Sequence, residues 1–391
     1  MILDALLSPW DAGQPNLDRE PNGPPSAEDA ARGREDVTET TRNVTRNRLQ
    51  KRLFHGACHA SAVSTERATR VLITGGTGFI GRTLCAAARD AGMDVRVALR
   101  KERALAPCFA PFVVGDLAGT PRWDEAVRGA ETVIHLAGLA HLRGSAAEEG
   151  LKRLSRVNVE ATRSLAEAAA AAGVRRVVLV SSAKVMGDSS PPGGFRETDT
   201  PAPPDPYAAS KWEAEQALQE VAARTGIEAV VVRTPLVYGP GVPANYLALL
   251  RAVNSGVPLP FGLAHNKRSF IFVENLASAL ILCATHEKAA GKTFFVSDGE
   301  DLSTADLVRA MAAALGRPAR LLPVPPRFVE VATSVVRKHA LYDRLFGSLA
   351  VDTSAIREAL GWAPAVDPAV GLARTVEWFR TERTDSRRHL D

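Results

Sequence analysis

The chain has few cysteines and no long apolar run, and each shortage excludes a class of protein. No pair of cysteines has CxxC spacing, which argues against a disulfide framework or a cysteine-based metal site and favours reduced thiols in a cytoplasmic protein: Cys58, Cys85, Cys108 and Cys283. No apolar stretch approaches the roughly 20 residues of a membrane-spanning helix. The opening MILDALLSPWDAG is acidic where a signal peptide is positively charged, so no signal peptide is expected.

Charge of neither sign is in large excess. The chain carries 48 Lys and Arg against 44 Asp and Glu, a formal net charge of +4. Because no basic run with interleaved aromatic residues appears, nucleic acid is not an expected partner. With 391 residues, 46% of them hydrophobic, the chain is long and apolar enough to bury a large core.

Residues 1–67 differ in composition from the rest of the chain. They are rich in Pro, Gly, Asp, Glu, Arg and Thr and show no sustained hydrophobic period, so we predict a disordered N-terminal extension. The basic stretch 41–70 is similar to a transit peptide, but the acidic residues upstream of it argue against that alternative.

From Arg70 onward, short apolar strands alternate with helical stretches. The expected strands are residues 70–74, 94–100, 112–117, 132–138, 176–184 and 228–239. Such a pattern predicts an α/β fold, a Rossmann-type doubly wound parallel sheet covered on both faces. We expect this domain over residues 68–240.

A smaller C-terminal α/β substrate-binding domain is expected over residues 241–391, interleaved with the last strands of the sheet. Its amphipathic, basic stretch 328–346 is interpreted as a lid over the substrate cleft. A helix lying on a membrane surface is the alternative interpretation of that stretch.

The run VLITGGTGFIG contains three glycines that predict a dinucleotide site. Gly75, Gly78 and Gly81 fall between the first strand and a helix that begins near Gly78. Glycine permits the tight turn and the close approach of phosphate, and the helix N-terminus attracts its charge. Asp116 is expected to bind the adenine amine, and the following residues to complete the site: Thr77, Phe79, Ile80, Leu117, Leu136, Ala137 and Gly138. His135 is expected to be structural.

The end of the second strand predicts which dinucleotide binds. A carboxylate there would bind the adenosine ribose, but the sequence has Arg100, Lys101 and Arg103. Cations at this point favour a 2′-phosphate and hence NADP(H). NAD stays open, because the same charges could be solvated loop residues.

Tyr207 and Lys211 lie four residues apart and therefore on one face of a helix. Asp205 is expected to cap that helix and Pro206 to occupy its first position. The lysine ammonium and a nearby nicotinamide are expected to lower the pKa of Tyr207, so that it can exchange a proton with a substrate.

Four further residues are candidates for the same site. Ser182 ends the fifth strand, where ligands bind in doubly wound sheets, and Asn158 is expected to open a helix and to anchor Lys211 through water. Arg233 and Arg268 are cations that could reach a substrate.

These motifs together resemble the extended short-chain dehydrogenase/reductase family, in its NAD-dependent epimerase/dehydratase branch that acts on nucleotide sugars. The resemblance covers residues 70–380 and rests on TGGTGFIG, HLAG, SSAKVMG, YAASK, RTPLVYGPG, RSFIFVENLASAL and LGWAP. It implies a catalytic triad supported by Asn158, a diphosphate contact from Arg268 and a substrate contact from Asn245. The implied triad is Ser182, Tyr207 and Lys211. It also implies a homodimer formed through a helix pair that includes the YAASK helix.

The reaction expected from this resemblance takes place at C4 of a UDP- or dTDP-sugar. The family's 4,6-dehydratases have Asp-Glu directly after the serine, whereas this chain has Ala183 and Lys184, so dehydration is not expected. The cations after the second strand favour NADPH-dependent reduction of a UDP-4-keto-6-deoxy-hexosamine for surface polysaccharide. A UDP-glucose or UDP-N-acetylhexosamine 4-epimerase with tightly bound NAD is the alternative. A hydroxysteroid or flavonoid-type reductase and a non-enzymatic dinucleotide sensor are more distant ones.

Overall fold

A computed structural model of the chain describes residues 68–140, 147–335, 342 and 345–388. The extension predicted to be disordered, residues 1–67, lies outside the described residues. The strands within the described ranges are β1 (Arg70–Thr74), β2 (Asp94–Leu99), β3 (Ala110–Val113), β4 (Thr132–His135), β5 (Arg176–Ser182), β6 (Glu228–Thr234), β7 (Leu236–Tyr238), β8 (Phe270–Phe272) and β9 (Thr293–Phe295).

Helices connect most of these strands and extend to the C-terminal end of the described chain. In chain order they are α1 (Phe79–Asp90), α2 (Trp123–Ala126), α3 (Ala147–Ser155), α4 (Ala161–Ala171), α5 (Pro206–Thr225), α6 (Ala244–Ser255), α7 (Val273–Thr285), α8 (Thr304–Ala314), α9 (Pro326–Val335), α10 (Ser354–Leu360) and α11 (Pro368–Arg388). A π-helical turn, Arg156–Glu160, joins α3 to α4, and a 3₁₀ turn, Ala183–Met186, follows β5.

The main sheet has the strand order β3-β2-β1-β4-β5-β6-β9, and every neighbouring pair in it is parallel. After β1, the chain adds β2 and β3 on one side of this strand. It then crosses over and adds β4 and the later strands of the sheet on the other side. The crevice between the carboxyl ends of β1 and β4 is therefore the topological switch point where ligands bind in such sheets. The predicted doubly wound α/β fold is confirmed.

Apolar side chains bury both faces of the sheet, as the near-continuous Val, Ile and Leu strands predict. On one face Leu84 of α1 and Leu280 of α7 pack with Ile134 in one fully buried cluster. On the other face Leu165 of α4 and Leu218 of α5 pack in a second cluster. Helices α4 and α5 are thereby fixed against the sheet, and α5 carries Tyr207 and Lys211.

Five of the six expected strands end earlier than predicted, by one to three residues at β2, β4 and β5 and by more in two runs. The run 228–239 is divided at Pro235 into β6, in the main sheet, and β7, which pairs in parallel with β8 instead. Proline has no N–H to donate and restricts the residue before it, so the ladder cannot continue through it. The run 112–117 contributes only its first residues to β3, which ends before Gly115 with φ of 92°.

Strand β9 lies beyond residue 240 and yet pairs with β6, which is the interleaving expected of the second domain. The domain bounds themselves stay a prediction. In the expected lid, α9 covers Pro326–Val335, with Phe328 57% exposed, and parts of 328–346 lie outside the described residues. None of the helices in the described ranges is long and apolar enough to cross a membrane. The lid and the homodimer also stay predictions.

A buried carboxylate joins the smaller domain to the sheet. Asp298 follows β9 and accepts hydrogen bonds from Tyr238 Oη at 2.8 Å, Asn275 Nδ2 at 2.8 Å and the Phe272 amide at 3.0 Å. Burial raises the pKa of Asp298, and the Asn275 side chain and the Phe272 amide oppose that rise. One side chain therefore connects β7, β8 and α7.

Replacing Asp298 by alanine is expected to destabilise the protein, because three buried donors lose their acceptor. The free energy of unfolding should fall by about 3 kcal/mol in urea denaturation. Glu300→Ala, at an exposed neighbouring position, is the control and should change it by less than about 0.5 kcal/mol. Equal effects of the two substitutions would contradict the joining role of Asp298.

Candidate active site

The glycine-rich turn has no room for side chains. A Cβ on Gly81 would lie 2.2 Å from the Gly75 carbonyl oxygen, and one on Gly75 would lie 2.9 Å from the Ala137 amide. Gly75 also has φ of 69°, and the Gly78 amide donates to its carbonyl at 2.9 Å. Helix α1 begins at Phe79, directly after Gly78, as predicted. Its free N-terminal amides and the bare turn fit the pyrophosphate of a dinucleotide.

Cations border this turn at the end of β2. Arg100 and Lys101 are exposed, and Arg82 of α1 is half-buried. Burial lowers the pKa of Arg82, and the positive charge of Arg103 lowers it further. Asp116, expected at the adenine, forms an ion pair with Arg153 at 3.4 Å and accepts from the Ala118 amide. The region offers positive charge to an anionic group beside the adenosine.

The end of β4 forms the opposite wall of the crevice. Thr74 Oγ1 accepts from the Ala137 amide at 3.1 Å and is hydrogen-bonded to His135 Nδ1 at 2.7 Å. Burial, with the nearby charge of Lys211, lowers the pKa of His135 to about 3. The imidazole is therefore neutral and supports the backbone of Leu136, Ala137 and Gly138, in agreement with the structural role expected of it.

Helix α5 brings the predicted triad together at the carboxyl end of β5. Asp205 caps the helix by accepting from the Ala208 amide at 2.8 Å, and Pro206 is its first residue, both as predicted. The hydroxyls of Ser182 and Tyr207 are hydrogen-bonded. One turn later Lys211 Nζ donates to the Val180 carbonyl at 3.0 Å, so the ammonium lies beside the last residues of β5.

Burial decides the protonation of both residues. It raises the pKa of Tyr207, which the hydrogen bond from Ser182 opposes and the charge of Asp205 increases. It lowers the pKa of Lys211 to about 8, although the charge of Glu215 acts to raise it. Without a coenzyme, desolvation thus outweighs the neighbouring charges at Tyr207, and the expected lowering of its pKa beside a bound nicotinamide stays a prediction.

Asn158 connects the wall of the crevice to α5. Its Oδ1 accepts from the Leu139 amide at 2.8 Å, and its Nδ2 donates to the Leu139 carbonyl at 3.0 Å and to Ser210 Oγ at 2.9 Å. It does not open a helix, as the sequence suggested, but lies in the π-helical turn between α3 and α4. Such turns are frequent at functional sites. A Cβ on Gly138 would lie 3.0 Å from Asn158 Oδ1 and 3.2 Å from Lys211 Nζ, so all three residues share one small space.

Comparison with known proteins agrees with the dinucleotide-binding fold that the geometry indicates. Residues 71–297 match the model of the NAD dependent epimerase/dehydratase family. The chain belongs to that family. It is an enzyme of the extended short-chain dehydrogenase/reductase fold and an NAD(P)-binding protein, so a non-enzymatic sensor is no longer an alternative.

Three similar proteins illustrate the range of the family. A UDP-glucose 4-epimerase of Vibrio cholerae is 38% identical, over 79% of this chain and 95% of its own. A dTDP-glucose 4,6-dehydratase of Streptomyces niveus is 29% identical, over 80% and 94%. The solved structure of MoeE5 in complex with UDP-glucose and NAD is 29% identical, over 80% and 99%, with a TM-score of 0.64.

The substrate residues expected of this family member lie in the smaller domain. Asn245 is the second residue of α6, after Ala244, whose φ of 54° is in the left-handed region. Arg268 Nη1 donates to the Gly347 carbonyl at 3.0 Å, and its backbone pairs with Leu302. Arg268 is thus held in a network rather than isolated on the surface. Contact of either residue with a substrate stays a prediction.

Two other cations have partners that the sequence did not reveal. Arg233, expected to reach a substrate, is only 4% exposed, and its Nη2 lies 2.7 Å from Glu215 Oε2. It is therefore part of the core. Lys184 Nζ pairs with Asp205 Oδ2 at 2.5 Å and with Asp188 Oδ1 at 3.4 Å. It thereby ties the turn after Ser182 to the start of α5.

Sequence reasoning missed Glu215, Ser181 and Ser210. Glu215 is eight residues after Tyr207, so the i, i+4, i+8 spacing that placed Lys211 would have placed it on the same face of α5. Ser210, in YAASK, donates to the Tyr207 carbonyl at 2.8 Å while accepting from Asn158. Within the described ranges, no three His, Cys, Asp or Glu side chains are grouped to hold a metal ion.

The buried ammonium of Lys211 predicts a stability that depends on pH. The pKa of Lys211 falls from 10.5 in the unfolded chain to about 8 in the folded protein. Below pH 8 both states are protonated at Lys211, but the unfolded chain binds that proton more tightly. At about 1.4 kcal/mol per pH unit, this destabilises the folded state by about 3 kcal/mol at pH 7. The cost declines as the pH rises from 8 and is absent above pH 10.5.

Lys211→Met is accordingly expected to be more stable than the parent protein at pH 7, by about 2 kcal/mol after the hydrogen bond to Val180 is lost. Urea denaturation at a series of pH values should show this difference closing toward pH 10. Lys152→Met, at a side chain 55% exposed, should show no such dependence. A variant less stable than the parent at pH 7 would disprove the cost.

Proposed function

We propose that the protein is a nucleotide-sugar oxidoreductase acting at sugar C4, and that it reduces a UDP-4-keto-6-deoxy-hexosamine with NADPH for surface polysaccharide synthesis. The observation that carries the proposal is the hydrogen-bonded pair of Ser182 and Tyr207 beside Lys211, at the carboxyl end of β5. A C4 ketone is the electrophile that this arrangement serves. A dTDP-sugar with the same ketone is the related substrate, and Asn245 and Arg268 are proposed to bind the substrate, Arg268 at its diphosphate.

Burial keeps Tyr207 protonated and so gives the reductive direction the acid that it needs. A phenol that keeps its proton at neutral pH can donate it to the C4 oxygen while Ser182 holds that oxygen by a hydrogen bond. NADPH, when bound, would supply the hydride, so that one proton from Tyr207 and one hydride would convert the ketone to an alcohol. The ammonium of Lys211 stabilises the phenolate that remains and binds the nicotinamide ribose hydroxyls.

The residues after Ser182 do not support dehydration. A 4,6-dehydratase needs an acid and a base there, to remove the C5 proton and to expel the C6 hydroxyl. Ala183 has no ionisable group and is fully buried, and Lys184 is occupied by Asp205 and Asp188. The reaction proposed for this chain therefore ends at C4.

The cations beside the glycine-rich turn support NADP(H). Arg100, Lys101 and Arg103 follow β2, with Arg82 near them, and together they favour an adenosine carrying a 2′-phosphate. A freely exchanging NADPH would suit net reduction. NAD is the alternative coenzyme, and MoeE5, a structural relative, binds it.

A UDP-hexose 4-epimerase with tightly bound NAD is the second candidate function. The similarity to the UDP-glucose 4-epimerase of Vibrio cholerae favours it. The same triad would serve, because oxidation and reduction at C4 are the two directions of one proton and hydride transfer. What separates the candidates is whether the coenzyme is replaced after each turnover.

Purified protein should consume NADPH when mixed with UDP-4-keto-6-deoxy-N-acetylglucosamine, and Tyr207→Phe should slow turnover by about 10²- to 10⁴-fold while coenzyme still binds. A separate reaction with UDP-glucose or UDP-N-acetylglucosamine and NAD⁺, followed by sugar analysis, tests the epimerase. Inversion at C4 without net NADPH consumption would favour the second candidate. Unchanged turnover by Tyr207→Phe would remove Tyr207 from its proposed role.

Arg100→Asp is expected to raise the KM for NADPH about tenfold or more and to improve the use of NADH, because a carboxylate repels the 2′-phosphate and accepts from the ribose. Initial rates with the two coenzymes measure this. Arg317→Asp, an exposed cation after α8, controls for the change in net charge. An unaltered coenzyme preference would contradict the proposal for NADP(H).

A further inference from the structure

The face of α5 that carries Tyr207 and Lys211 continues to a third ionisable residue. Glu215 follows Lys211 by one turn and has no solvent exposure. A buried carboxylate is costly to the folded state unless it is paired and hydrogen-bonded. The proposed mechanism gives Glu215 no part, so its position next to Lys211 needs an explanation.

Arg233 of β6 supplies the opposite charge. Its Nη2 lies 2.7 Å from Glu215 Oε2, and its Nε lies 3.2 Å from each carboxylate oxygen. The guanidinium is fixed in turn, with Nη1 3.0 Å from Met186 Sδ and its centre 5.6 Å from the Trp212 ring and 5.7 Å from the Phe295 ring. The pair is therefore held rigidly in the core.

The carboxylate also binds the strand that carries Ser182. The hydroxyl of Ser181 donates to Glu215 Oε1, and the preceding residue, Val180, accepts from Lys211 Nζ. Successive residues at the end of β5 are thus attached to successive turns of α5. This fixes Ser182 relative to Tyr207 and holds the negative charge of Glu215 near the Lys211 ammonium.

We propose that Glu215 is a positioning residue of the active site, which anchors the end of β5 to α5 and supplies the charge that retains Lys211 as an ammonium. The inference rests on the proposed roles of Ser182, Tyr207 and Lys211. The other described titratable groups around Lys211 are Tyr207, on the same helix, and the neutral His135 on β4. The charged Arg233, on β6, contacts Glu215.

The chain contains a matched control. Arg176 of β5 and Glu228 of β6 form another Arg–Glu pair, with Nε 2.6 Å from Oε2, at the ends of these strands far from Ser181 and Arg233. The register pairs Arg176 with Glu228 and Ser181 with Arg233. Glu228→Gln therefore removes a comparable ion pair from β5 and β6 without touching the site.

The titration of Lys211 is the test, followed by NMR of protein labelled at the lysine Cε carbons and assigned with Lys211→Arg. Glu215→Gln should lower the titration midpoint of Lys211 by about one pH unit, because an opposite charge is lost. The double variant, Glu215→Gln with Arg233→Met, should lower the midpoint less, because it leaves no unpaired guanidinium. If the single variant does not fold, the double variant provides the test. Glu228→Gln should leave the midpoint in place.

An unchanged midpoint in the variants of Glu215 would overturn the proposal. In the enzyme assay, the alkaline limb of the pH profile of kcat/KM should move to lower pH by the same amount, and kcat should fall more than KM changes. If the parent protein acts on no nucleotide sugar, the proposed function fails. The Lys211 titration needs no substrate, so it still decides the role of Glu215.

Discussion

A positive charge held out of water at the carboxyl end of a parallel sheet is the constraint on which the site depends. Lys211 is buried on α5, and an ammonium in that position persists only with oxygen atoms around it. The Val180 carbonyl accepts from it, Asn158 Oδ1 lies beside the same open face of Gly138, and Glu215 provides a negative charge. The need to accommodate this one group accounts for Gly138, which has no side chain, for the π-helical turn at Asn158 and for the buried Glu215–Arg233 pair.

Local chemistry made most of the fold predictable. The bounds of β1 match the expected strand residue for residue, and the cap at Asp205 followed from capping rules alone. The predicted triad came together because Ser182 ends β5 and the first turns of α5, which carry Tyr207 and Lys211, pack beside that end. Where the prediction failed most, at Pro235 and before Gly115, the reason was also local: a proline and a glycine with positive φ interrupt the apolar runs.

The partners of charged residues could not be read from the sequence in the same way. Arg233 and Lys184 are cations near the proposed site, and their spacing along the chain does not distinguish a substrate contact from an ion pair. Arg233 is paired across 18 residues with Glu215, and Lys184 across 21 residues with Asp205. Such pairings depend on how helix and strand pack, which the hydrophobic period predicts only coarsely. The π-helical turn at Asn158 is a similar case, because no residue type marks it.

The pKa of Tyr207 depends on two opposing effects, burial and the charge of the coenzyme. Desolvation acts whether or not a coenzyme is bound, whereas stabilisation of the phenolate needs a cationic nicotinamide beside it. Tyr207 thus keeps its proton next to a neutral, reduced ring and becomes a base only next to an oxidised one. One residue can then serve either direction at C4. What would make this enzyme a reductase or an epimerase is therefore the hold on the coenzyme, at the cations after β2, and not the triad itself.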